Sequence, residues 1–216
     1  MAIKRANISG LDNLATWLNA NCAGLFGSVT YSSSKLTATD KDSHTILEIT
    51  AASCKAYRAA SSYIESNMAS SGFGTTDVIA CDNGVILKTS YTYNISRSFG
   101  VLIAKTNNDN RLAVIFSAGG TDSTDANYAY TALKHVAWGD STSITPTTTT
   151  FAPEAGQQTI LCPWGTNPDT GQTSYTPKAF YLPTGQNYSQ GIGKFILGAD
   201  TYITNGYWAI KDGGAT

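Results

Sequence analysis

Charge is scarce in this chain. Asp, Glu, Lys and Arg together make up 13% of its 216 residues, against about 25% in an average soluble domain. The 14 basic and 15 acidic residues nearly cancel, leaving a net charge of −1. No basic stripe is present to neutralise a row of phosphates, which argues against nucleic-acid binding and against attraction to an anionic membrane surface. No apolar run approaches the ~18–20 residues of a membrane span. Histidine occurs only twice, at His44 and His135. The four cysteines, Cys22, Cys54, Cys81 and Cys162, never form a C-x-x-C pair. Structural metal sites need such short pairs because one turn must present two ligands to one ion, so the thiols are expected to be small buried apolar groups. No metal and no cofactor is expected.

Catalytic signatures are thin as well. There is no G-x-S-x-G elbow, and the three glutamates, Glu48, Glu65 and Glu154, show no pairing across a substrate. The acidic run around Asp122 and Asp125 reads better as a turn held by Asx bonds than as a calcium loop. The expectation is a protein that is not an enzyme.

What the chain does have is 42% hydrophobic residues, 11% aromatics and 20 glycines. That is enough apolar surface for a core, with a polar exterior made mostly of Ser, Thr, Asn and Gly. Such an exterior is weakly protected by charge repulsion against association. Near the N-terminus Leu11, Leu14, Ala15, Trp17, Leu18 and Cys22 recur at spacings of three and four, with Ser9 as expected cap and Gly24 as stop. This predicts a short amphipathic helix lying on a sheet. Beyond it the period falls to two. Strands are predicted over Ser28–Ser32, Thr45–Thr50, Thr75–Cys81, Val85–Tyr93, Phe99–Thr106, Arg111–Ala118, Tyr128–Trp138 and Thr159–Cys162. Asn83-Gly84 predicts a hairpin with positive φ at both turn positions, and Asn107–Asn110 a second hairpin with a four-residue loop. Cys54–Ile64 fits either a short helix or an irregular strand.

The fold class expected is α+β, dominated by antiparallel strands. Residues 1–143 would hold the helix and a first β region, and residues 151–216 a C-terminal β unit. The Thr-rich stretch 144–150 between them is either a linker or an edge strand, and the whole either one domain or two. The end of the chain predicts a three-stranded meander with turns at Gly198 and at Asn205-Gly206, pairing Leu197 with Asp200 and Thr204 with Tyr207. Its one face would carry Ile196, Ile203, Trp208 and Ile210, its other Phe195, Leu197, Tyr202, Tyr207 and Ala209. An antiparallel sheet usually wets one face. Either the chain covers both faces itself, or the face of Phe195, Tyr202 and Tyr207 docks on a partner.

Two stretches, Tyr175–Gln186 (YTPKAFYLPTGQ) and Gly193–Asp212 (GKFILGADTYITNGYWAIKD), resemble the C-terminal signature of minor structural proteins of phages and prophages of gut Clostridia-type bacteria. The opening helix at Leu11–Gly24 and the strand end Val136–Asp140 (VAWGD) are similar to features of the same group. The resemblance implies a virion protein of the tail, baseplate, fibre or decoration class, acting by assembly with other virion subunits and with its own copies. It implies location in the particle, and in the bacterial host cytoplasm during assembly. A second expectation, of a different class, is a module binding host-surface glycan or a receptor, with Trp164 and Tyr175 stacking on sugar rings.

Overall fold

Three antiparallel sheets and one helix account for the computed structural model, which describes residues 2–67, 73–93, 95–120, 134–138, 159–160, 178–181, 192–205 and 208–213. The fold class is therefore α+β and mainly antiparallel β, as the sequence pattern predicts. No helix among the described residues is long and apolar enough to cross a membrane.

The central sheet has six strands. Strand β1 (Lys4–Ser9) pairs with β7 (Thr75–Cys81), followed in order by β8 (Gly84–Tyr93), β9 (Ile95–Lys105), β10 (Leu112–Gly120) and β11 (Lys134–Ala137). Between β1 and its neighbour β7 the chain inserts the helix α1 (Leu11–Asn21) and a complete five-stranded sheet. That sheet consists of β2 (Ser28–Ser32), β3 (Lys35–Thr39), β4 (Thr45–Ile49), β5 (Ser53–Ala59) and β6 (Ser62–Asn67), in sequence order. The third sheet runs β12 (Thr159–Ile160), β13 (Ala179–Tyr181), β16 (Trp208–Lys211), β15 (Asp200–Thr204), β14 (Gly193–Leu197).

The central sheet is buried on both faces. Val78, Val85, Leu87, Val101, Ile103 and Val114 point into a core shared with α1 and the β2–β6 sheet, where Leu14, Leu18, Leu36, Leu47 and Ile49 meet them. The alternate residues Ile79, Ile86, Leu102 and Ile115 point the other way, against Ile203, Trp208 and Ile210 of the third sheet. Covering both faces explains why these strands read as continuous apolar runs such as VLIA and LAVIF. Described residues of 1–143 and of 151–216 thus meet in one apolar layer. Polar bonds pin the same contact: Lys178 N donates to Lys105 O at 2.6 Å, and Asn83 Nδ2 to Lys211 O at 3.0 Å.

Several local expectations need correcting. Ser9 does not cap the helix, because it is the last residue of β1, hydroxyl to hydroxyl with Thr75 at 2.9 Å. Gly10 takes the cap position instead, with φ 88° and no side-chain bond. The helix closes at Cys22, whose N–H donates to Leu18 O at 2.8 Å, before Gly24. In the β7–β8 hairpin Gly84 is a strand residue paired with Cys81, and the turn is Asp82-Asn83 with no positive φ. The glycine serves close approach: a Cβ there would lie 2.4 Å from Ile103 O. The stretch 54–64 is a hairpin, β5 with β6, irregular between Tyr57 and Ala59. The Asn107–Asn110 loop and the Leu197–Asp200 pairing are as expected.

The last turn lies one residue later than expected. Thr204 pairs with Ala209 rather than Tyr207, because the Asn205 side-chain carbonyl accepts from Trp208 N at 2.8 Å and closes the turn there. A register change of two leaves Ile203, Trp208 and Ile210 on their expected face. The predicted strand over 128–138 is seen as β11, which ends before Trp138 in a turn, and the predicted Thr159–Cys162 strand as β12; positions 128–133 and 161–162 lie outside the described residues.

The β2–β3 hairpin was not predicted. Its two-residue turn is Ser33-Ser34, both at positive φ (50° and 60°), a type I′ geometry that serine occupies against its preference. Replacing the pair with Asn-Gly is expected to raise stability by about 1 kcal/mol. Urea unfolding of the double variant checks this; an unchanged midpoint would count against the turn geometry.

Candidate functional site

The outward face of the β2–β6 sheet ends in a cleft of about 370 Å3, lined by Ser43, His44, Thr45, Glu48, Tyr57 and Trp138 among others. Its floor is the sheet's polar side. In β4 and β5 alternation sends Leu47, Ile49, Cys54 and Ala56 inward, so Glu48, Lys55 and Tyr57 face out. Tyr57 donates to Glu48 Oε2 at 2.7 Å, and Lys35 to Glu48 Oε1 at 2.5 Å. Burial pushes the Glu48 carboxyl up, but these two hydrogen bonds and the Lys35 and Lys55 charges outweigh it, holding the group below the ordinary carboxylate range. Glu48 is ionised and already paired. Burial and the bond to Glu48 push the Tyr57 phenol up. Next to it Tyr63 packs at 5.4 Å on the Tyr57 ring, with the Lys55 ammonium 4.3 Å from the Tyr63 centroid and 3.9 Å from Glu65.

The wall comes from the turn between β3 and β4. Asp40 is fully buried and organises it, accepting from Asp42 N at 3.0 Å and His44 N at 2.9 Å. Arg111, the residue before β10, donates to Asp40 Oδ2 at 3.2 Å, ion-pairs with Asp42 at 3.1 Å and contacts the His44 ring. The His44 imidazole, thus held, stacks on the Trp138 indole at 4.4 Å and 21°. Trp138 follows β11 directly, so the cleft joins the inserted sheet to the edge of the central one.

Of the site residues expected from sequence, Phe195 and Tyr202 are brought together: they are cross-strand partners with rings stacked at 5.1 Å and 12°. Tyr202 nevertheless keeps only 9% of its surface, since Phe195 lies on it, and Ala209 on the same face keeps none. At these two positions the meander's second face is covered within the chain, the first of the two alternatives the sequence leaves open. Phe195 is half-buried. Tyr207, Trp164, Tyr175, Cys162, Glu154, Asp122 and Asp125 lie outside the described residues. Cys22, Cys54 and Cys81 are free and buried; burial pushes the Cys22 thiol up to about 12 and the Cys81 thiol up to about 11. Among the described residues no group of three or more His, Cys, Asp or Glu side chains is placed to hold a metal.

Asp40, His44, Glu48, Tyr57, Arg111 and Trp138 were not singled out from sequence as a group. Nothing local marks them: Arg111 and Trp138 reach the turn from 67 and 94 positions beyond His44. Compared with known proteins, the chain matches no family model, no curated protein and no solved structure.

Proposed function

We propose that this chain is a structural subunit of a phage or prophage particle, in the tail, baseplate, fibre or decoration class, that works by assembling with other subunits and with its own copies. The observation that carries this reading is where large apolar side chains remain exposed. Among the described residues they are Tyr31 (44%), Tyr63 (42%) and Ile196 (72%), and all three stand on outermost strands, β2, β6 and β14. An edge strand offers unpaired N–H and C=O groups, which proteins that must stay apart blunt with charge or proline. Strand β2 (SVTYS) has neither, and β14 (GKFIL) has one lysine. With 13% charged residues over the chain, little repulsion opposes contact. The phage assignment itself rests on the sequence resemblance, and the reading gives the chain no reaction to catalyse.

Edge pairing across β14 predicts that Ile196→Lys shifts the purified protein toward smaller species in size-exclusion chromatography with light scattering. Lysine at an exposed edge position costs the folded monomer little, within about 0.5 kcal/mol. A wild-type chain that is monomeric up to about 100 µM and does not co-assemble with the products of neighbouring genes would overturn the reading. Neighbouring genes that encode no capsid or tail protein would remove its phage part.

A further inference from the structure

The geometry points to a second property, independent of assembly: the cleft at Trp138 is a binding site for a neutral saccharide unit. Three observations meet there. The first is chemical lining. Two aromatic residues, Trp138 and Tyr57, line it together with Ser43, Thr45 and an ionised carboxylate, Glu48. A sugar ring presents an apolar C–H face to aromatics and hydroxyl donors to acceptors at its rim, and this lining offers both. The second is charge balance. Lys35 neutralises Glu48, Arg111 is paired with Asp40 and Asp42, and Lys55 with Glu65. A cationic ligand meets a carboxylate whose charge is already compensated, and an anionic ligand meets ammonium and guanidinium groups already engaged. A neutral, hydroxyl-bearing molecule loses nothing by either pairing. Glu48 receives one bond on each oxygen, and a carboxylate oxygen has a second lone pair to accept a sugar hydroxyl.

The third observation is preorganisation. The Trp138 ring is held by the His44 stack, His44 by its backbone bond to Asp40 and by Arg111, and Asp40 is fully buried. An indole fixed in this way loses little rotamer freedom when a ligand arrives. At about 370 Å3 the cleft is at the small end of ligand sites. It suits one or two sugar rings, whereas a protein partner needs about 800 Å2 of surface per side.

The test uses the full chain with a panel of neutral probes: glucose, galactose, mannose, N-acetylglucosamine and their common disaccharides. N-acetylneuraminic acid and tetramethylammonium serve as charged probes, and saturation-transfer NMR followed by calorimetry gives the readout. The expected result is saturable binding of at least one neutral probe. Trp138→Ala should weaken it at least tenfold and Glu48→Gln several-fold, with Ile196→Lys leaving it unchanged. Should Trp138→Ala unfold, Trp138→Phe keeps a smaller ring in place and should weaken binding by less. Failure of every neutral probe to bind, binding that survives both Trp138 and Glu48 substitutions, or binding of the charged probes alone overturns the proposal. The oligomer measurement is separate, so either idea can fail without the other.

Discussion

Asp40→Ala is expected to lower the unfolding free energy by about 3–5 kcal/mol, the range found when one partner of a buried ion pair is removed. Asp40 is fully buried, and two backbone N–H groups, the Arg111 guanidinium and His44 Nδ1 converge on its carboxylate. Alanine leaves the two backbone N–H groups without that acceptor and takes one of the guanidinium's two carboxylates, at a position that water does not reach. The guanidinium retains Asp42, but that carboxylate is partly exposed, so it offsets only part of the loss. Asp40→Asn keeps the shape and one acceptor and should fall between alanine and wild type. Asp42→Ala should cost no more than about 1 kcal/mol. Chemical denaturation of the three variants makes the comparison. A cost below about 1 kcal/mol for Asp40→Ala would mean that the turn between β3 and β4 does not depend on this carboxylate.

The second large effect separates neighbours in one strand. Ile86 and Leu87 are both fully buried, yet they point into different cores. Ile86 sits across from Ile79 and Leu102 and looks toward Ile203 and Ile210; Leu87 sits across from Val78 and Val101 and looks toward α1 and the inserted sheet. Truncating either to alanine is expected to cost about 2–5 kcal/mol, the sum of lost transfer energy and a cavity that neighbours fill incompletely. In an antiparallel sheet with one wet face, one of the two changes would cost within about 0.5 kcal/mol. Equal, large losses for Ile86→Ala and Leu87→Ala, read from urea midpoints at constant slope, are the signature of a sheet enclosed on both sides. A negligible loss for Ile86→Ala would place the third sheet somewhere else.

The sequence pattern carried the fold class but not the layering. Helix α1 was legible because Leu11, Leu14 and Leu18 repeat at helical spacing, and the β9–β10 hairpin because apolar strands flank four polar loop residues. Strand β1 escaped because only Ile8 in Lys4–Ser9 is buried; its partner β7 arrives 66 or more residues later. In β5 the inward residues are Cys54 and Ala56, too small to mark a face against Lys55 and Tyr57 pointing out. The turn shift at Asn205 came from a side chain taking over a backbone role, which the dipeptide Asn-Gly does not announce. Runs such as Val101-Leu-Ile-Ala104 fit a doubly covered sheet, but nothing within them says which distant segments do the covering. The cleft was the least legible part. Its acid, its guanidinium and its indole come from three distant segments, and only the docking of β11 and β10 beside the β3–β4 turn brings them within contact.

The double enclosure of the central sheet sets an order of events during synthesis. Ile79, Ile86, Leu102 and Ile115 leave the ribosome well before Ile203 and Ile210, which cover them. At about 5–20 residues per second, the gap between Ile115 and Ile203 is roughly 4–18 s. Throughout that interval a nascent chain with α1 and the first two sheets in place would show a greasy, uncharged plane to its surroundings. A holding chaperone, or prompt arrival of the last thirty residues or so, decides whether each new molecule matures or clumps.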